Sequence, residues 1–163
     1  MMTDQYLYDV KAITSMYDGD SIRVILTAKR EVSVDFGFSD VIVSTLSKDT
    51  PVAVRMHGFD TPELNDKRPA WKKAAYLAKD AARKWLDAAL EAERLKMRSY
   101  RDKTGKFGRY LANFERHDQA VSTLKDFMLA NHLAVAYEGQ SKDSIAAAHQ
   151  ANIDWLTDQG RLS

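Results

Sequence analysis

The chain has no cysteine among its 163 residues. Disulfides and thiolate metal ligands are therefore excluded, and a bound metal would have to be held by oxygen or by one of four histidines. No apolar run approaches the roughly 18 residues needed to cross a bilayer, so a membrane partner is not expected. The N-terminus, MMTDQYLYDVKA, lacks a basic flank followed by a small-residue cleavage site. No secretory signal is read there, and the cytoplasm is the expected compartment. There is also no internal repeat, low-complexity tract or obvious linker. What is present, 45% hydrophobic and 29% charged residues, is too apolar for a disordered chain. The length suits one well-filled core, whereas two domains would each be marginal. A single domain over residues 1–163 is expected.

Net charge is +1, but it is unevenly spread. Residues 1–66 hold 6 basic and 11 acidic side chains, residues 67–116 hold 15 and 6, and residues 117–163 hold 3 and 6. The middle segment, at net +9, has the footprint of a surface for a polyanion such as nucleic acid. A solvated helix face would carry the same charge for solubility alone.

The first third has β character. YDVKAITSM and SIRVILTA flank the tight YDGD, where Asp18 and Gly19 supply turn chemistry. EVSVDFGFSDVIVSTL is valine-rich and roughly alternating, with Gly37 interrupting it, which predicts an extra hairpin or a bulged strand. In TPVAVRMHG, Val52, Val54 and Met56 share one strand face and Arg55 points the other way. From Pro69 the period becomes helical, and Trp71, Ala74, Ala75, Ala78, Ala82, Trp85, Leu86 and Ala89 form one stripe. KMRSYRD and RYLANF read as strands around the turn DKTGKFG. Asp118 is the expected cap of a helix through QAVSTLKDFMLANH, and a last helix begins near Ser141 and runs through Trp155. The order predicts a mixed α+β domain with about three packed helices.

Two acidic motifs lie beside strands: DGD at 18–20 and DTPE at 60–63. DTPE has two readings. Asp60 and Glu63 could cap a helix with proline in its first turn, or they could belong to a site in which carboxylates share a hard cation such as calcium or magnesium. Arg55 precedes DTPE and Arg109 follows GKFG, and planar guanidinium groups match phosphate oxygens in bidentate geometry. A cation, carboxylates and two arginines form a kit for phosphodiester hydrolysis. DGDSIRVILTAK is a poor EF-hand loop, because it runs into β-like sequence without the required oxygen spacing.

Together, in order, YDGDSIRVI, VRMHGFDTPEL, DKTGKFGRYLANF and LANHLAVAYEG resemble the staphylococcal (thermonuclease-like) nuclease family. The resemblance covers about residues 9–158. It implies a five-stranded OB-type β-barrel with helices packed against it, and calcium-dependent cleavage of DNA and RNA that leaves 3′-phosphate ends. By motif, it assigns Asp20 and Asp60 as metal carboxylates and Thr61 as the donor of a backbone carbonyl. Glu63 matches the general base or water orienter, and Arg55 and Arg109 match the phosphate-binding arginines. The alternative on the same fold is a non-catalytic module that binds nucleic acid or protein.

Several residues depart from the family pattern. Ser21 replaces the usual threonine after DGD, Phe107 stands where some members have tyrosine, and His132 occupies the usual glycine position. A β-rich insertion of about residues 28–50 lengthens the separation between Asp20 and Arg55. It is expected to modify substrate access or to meet a protein partner without supplying catalytic groups. His57, two residues after Arg55, is expected to pack or to edge the substrate, and Trp71, Trp85 and Trp155 to pack between elements.

Overall fold

The computed structural model describes residues 5–38, 41–100 and 109–162. The chain opens with an antiparallel meander of β1 (Gln5–Asp18), β2 (Ser21–Asp35) and β3 (Val41–Met56). Register shifts at Val10/Ala12, Ile13/Ser15 and Met16/Asp18 bend β1. Such irregularities increase local twist and let a sheet curl. Strand alternation then sends Ile22, Val24 and Leu26 inward, where they meet Val52, Val54 and Met56.

After β4 (Phe59–Asp60) and helix α1 (Pro69–Glu91), β5 (Leu95–Tyr100) returns to pair with β1, and β6 (Tyr110–His117) pairs with β5. Three parallel pairs, Val54↔Tyr110, Arg55↔Leu111 and Met56↔Ala112, join β3 to β6. Strands β1, β2, β3, β6 and β5 are thereby linked into a ring. Val24, Val54, Met97 and Phe114 fill its interior, all essentially inaccessible to solvent. β7 (Val121–Thr123) extends the sheet beyond β6, and β8 (Val135–Ala136) forms a separate pair with β4.

Among the described residues there are three helices. α1 starts on Pro69, whose missing N–H costs nothing at a helix N-terminus. Its alanine stripe is buried as the periodicity predicts, and Trp85 is half-buried against Phe127. Alanine permits close approach: Ala78, Ala82, Leu86 and Ala89 join the ring core, while Trp71 and Ala74 pack with Ile153 and Leu156 of α3 (Lys142–Asp158). Ser141 caps α3, its hydroxyl accepting from the Ser144 amide at 3.3 Å.

Two expectations are corrected. α2 spans only Leu124–Ala130 and is capped by Thr123 and not by Asp118. The β-branched and polar run Val121–Thr123 pairs with β6 instead, leaving Val121 exposed. TPVAVRMHG is not a separate strand either: β2 and β3 stay in unbroken register from Ser21↔Arg55 to Asp35↔Val41. The insertion therefore lengthens two ring strands into a protruding arm. The expected turn DKTGKFG, with Phe107, lies outside the described residues.

His132, standing where glycine was expected, follows α2 with φ of 58°, in the left-handed region. Its ring stacks on Trp155 at 3.9 Å between centroids, and Nδ1 lies 3.3 Å from Asn152 Oδ1. The backbone cost of this conformation, roughly 1–2 kcal/mol for a residue with a Cβ, is opposed by the ring contact. Alanine would keep that cost and lose the stack, whereas glycine would lose both. In urea unfolding, His132→Ala is therefore expected to be less stable than His132→Gly by about 1 kcal/mol, the reverse of the helix-propensity order. Equal midpoints would remove the backbone argument.

Candidate active site

The β1–β2 turn delivers Asp20 beneath the strands. Gly19 is required there by space: a Cβ on it would stand 2.8 Å from Thr61 Cγ2. Asp20 is only 1% exposed, and its backbone carbonyl accepts from Met56 N at 2.8 Å, tying the turn to the end of β3. Arg55 sits opposite Ser21 in the β2–β3 register and opposite Leu111 in the β3–β6 register. Strand alternation directs it away from the core that buries Val54 and Met56.

Its guanidinium spans two carboxylates. Nη1 lies 2.6 Å from Asp20 Oδ2, and Nη2 donates to Asp60 Oδ1 at 2.9 Å. Asp20 Oδ2 also accepts from the Thr61 amide at 3.1 Å. The carboxyl of Asp20 is pushed well up from its ordinary value by burial, with the Asp18 carboxyl adding to the effect and Arg55 opposing it. Burial also acts against charge on Asp60, but hydrogen bonds from His149 and Arg55 outweigh it and hold this carboxyl below the usual range. Arg55 loses solvation, yet the paired carboxylates keep its guanidinium more firmly protonated than usual.

The structure thus brings together Asp20, Arg55, Asp60 and Thr61, all four marked in the sequence. Glu63 follows in the same turn but is exposed, and Lys142 Nζ donates to its Oε1 at 2.7 Å. That contact draws the lysine ammonium more firmly into its charged form. DTPE does not cap α1, since that helix begins at Pro69 after an Arg68 that makes no side-chain cap bond. Arg109, at the mouth of β6, lines with Arg55 a cavity of about 720 Å³ that also includes His57, Lys125 and Tyr137. His57 stacks on Tyr100 at 4.2 Å, and burial together with Lys125 lowers its pKa. A second cavity of about 330 Å³ lies beside Asp60 and Glu63, edged by Arg68, Lys142 and His149.

His149 is the residue that sequence reasoning passed over. It lies on α3, 4% exposed, with Nε2 2.9 Å from Asp60 Oδ2. Ile145 and Ile153, four residues to either side, share its buried face, so its spacing carries an ordinary core signal. Trp71 borders the ring at 5.6 Å.

Among the described residues, no group of three or more histidine, aspartate or glutamate side chains gathers as a metal-binding cluster. Hard-cation chemistry does fit one local feature. Asp20 Oδ1 and Thr61 Oγ1 are buried polar atoms without a hydrogen-bond partner. Native interiors seldom leave such atoms unsatisfied, and a carboxyl oxygen near a second carboxylate is the donor type that calcium or magnesium takes. The chain matches no protein-family model and no curated protein.

The close approach of Gly19 to Thr61 yields a direct test of how the two motifs are joined. Gly19→Ala is expected to destabilise the protein by roughly 1–3 kcal/mol through overpacking. Adding Thr61→Ser removes the clashing Cγ2 and should recover much of that loss. Denaturant titration of both variants checks this, and a double variant no more stable than Gly19→Ala alone would contradict it.

Proposed function

We propose that the protein is a metal-dependent phosphodiesterase, a calcium-dependent nuclease that hydrolyses DNA, RNA or both on a five-stranded OB-type barrel and leaves 3′-phosphate ends. The observation that carries this reading is the Asp20–Arg55–Asp60 cluster, in which Asp20 keeps a buried, unpartnered carboxyl oxygen and Arg55 lines a cavity together with Arg109 and Lys125. The resemblance of the four motifs to the staphylococcal nuclease family adds calcium and the bond cleaved.

In this reading Asp20 and Asp60 hold the cation through their carboxylates, with Thr61 contributing its backbone carbonyl. Bound calcium supplies charge neutralisation for the reacting phosphate. Arg55 and Arg109 present guanidinium groups to the phosphate oxygens, where they stabilise the extra negative charge that develops as water attacks. Glu63 orients that water and takes its proton on a carboxylate oxygen, while the phosphorus bond to the 5′ oxygen breaks and that leaving oxygen takes a proton from solvent. The Lys142 contact holds Glu63 toward the smaller cavity beside Asp60. The basic segment at 67–116, at net +9, draws the polyanion in.

Purified protein is expected to degrade single-stranded DNA or RNA with calcium present and to stop when the ion is chelated. No product with calcium, magnesium or manganese, from protein shown to be folded, would leave a non-catalytic binding module in its place. Glu63→Gln keeps size and polarity but removes the base. Single-turnover cleavage should fall about 100-fold or more, with the thermal unfolding midpoint little changed, since Glu63 is exposed. Near-normal single-turnover rates would assign the water to another group.

A further inference from the structure

We propose that the protruding β2–β3 arm is a self-association surface. Two copies would join β2 to β2 in antiparallel fashion about a two-fold axis at Val32, so that Lys29 of each copy faces Asp35 of the other.

The arm begins where its neighbours stop. β1 last pairs with β2 at Asp9↔Thr27, and β6 touches β3 only from Val54 to Met56. From Ala28↔Lys48 to Asp35↔Val41 the two strands pair only with each other among the described residues, over about 25 Å at strand rise. At the base, Lys11 and Thr27 both bond Asp49. Each strand of the arm therefore presents one unpaired edge. An isolated two-stranded ribbon is marginal in water, and a long exposed edge with apolar side chains is a template for further pairing.

Proteins commonly blunt such edges with proline or bulges, but residues 28–48 contain no proline and the register is unbroken. The arm is also apolar on one side. Opposed residues share a face, so the pairs Val32↔Ser44 and Arg30↔Leu46 put Val32, Val34 and Leu46 together, and all three are exposed. Among the described residues no element covers this surface.

Charge identifies the occupant. Residues 28–48 carry three basic and three acidic side chains, so the arm has no net field for a polyanion. Two-fold antiparallel pairing requires one residue to face its own copy, which limits the registers. Centred on Val32, it sets Lys29 against Asp35 twice, Arg30 against Val34 and Glu31 against Ser33. Centred on Ser33, it sets Glu31 against Asp35, and centred on Glu31 it sets like charges face to face. The β3 edge offers no counterpart, because residues 41–47 contain no acid to meet Lys48. Only the Val32 register on β2 turns the strand KREVSVD into its own complement. It also joins the apolar faces of both arms into one four-stranded sheet. Asp35 is held for this contact by the Gly37 amide, which donates to Oδ1 at 2.8 Å.

Sedimentation equilibrium of the whole protein, up to about 100 µM, tests the proposal with two single variants, Lys29→Asp and Asp35→Lys. The native protein is expected to dimerise. Each variant alone replaces two opposite-charge pairs with like-charge pairs and should weaken dimerisation about tenfold or more. Mixing the two variants restores both opposite-charge pairs across the axis, so a heterodimer near native strength should form. A variant that merely misfolded could not be rescued in this way. A native protein that stays monomeric throughout, or a dimer indifferent to both substitutions, would overturn the proposal. Capture of a different protein by a monomeric native chain would overturn it too and give the arm another partner.

Discussion

The placement of one guanidinium governs the whole candidate site. Asp20 lies in the β1–β2 turn and Asp60 in the short strand β4, forty residues later, and Arg55 touches both within 3 Å. A buried carboxylate without a counter-charge costs roughly several kcal/mol, so the turn holding Asp20 depends on Arg55 being where it is. Arg55 is fixed in turn by strand pairing on both sides. β2 binds one edge of its strand and β6 the other, and the parallel β3–β6 contact that closes the ring also sets Arg109 at the same end. Ring closure and site assembly are therefore one structural event.

The helices add a second layer of constraint. α1 and α3 pack through Trp71, Ala74, Ile153 and Leu156, and Trp71 Nε1 donates to Gln150 Oε1 at 3.0 Å. Arg68 covers the outer face of the same indole, 3.5 Å from the ring centroid. One turn of α3 carries both Gln150 and His149, so this clamp also steadies the imidazole against Asp60 Oδ2. Both oxygens of Asp60 are thereby held, one from the strand ring and one from the helical layer, while Asp20 keeps a buried oxygen unpartnered.

Local chemistry made much of this legible from sequence. The alanine stripe from Trp71 to Ala89, the proline at the start of α1, the serine cap of α3 and the alternation Val52–Val54–Met56 all follow from nearest-neighbour periodicity. The carboxylates and Arg55 were marked by motif, and the structure brings them together. Three features depended on contacts distant in sequence. His149 sits among isoleucines with the spacing of any core residue, and only the packing of α3 against the DTPE turn turns it toward Asp60. Asp118 is a plausible cap in isolation, but pairing with β6 claims Val121–Thr123 and passes the cap to Thr123. The length of β2 and β3 was hidden because Gly37 resembles a break in the sequence, whereas the two strands stay in register as far as Asp35↔Val41.

The central claim is that Asp20, Arg55 and Asp60 form a site for cation-assisted cleavage of a phosphodiester. End-group analysis of oligonucleotide products, from matched single- and double-stranded DNA and RNA incubated with calcium, tests it most directly. Fragments bearing 3′-phosphate and 5′-hydroxyl ends, formed by the native protein and lost with Asp20→Asn, are the predicted result. Products with 5′-phosphate ends, or cleavage that persists unchanged in Asp20→Asn, would contradict it.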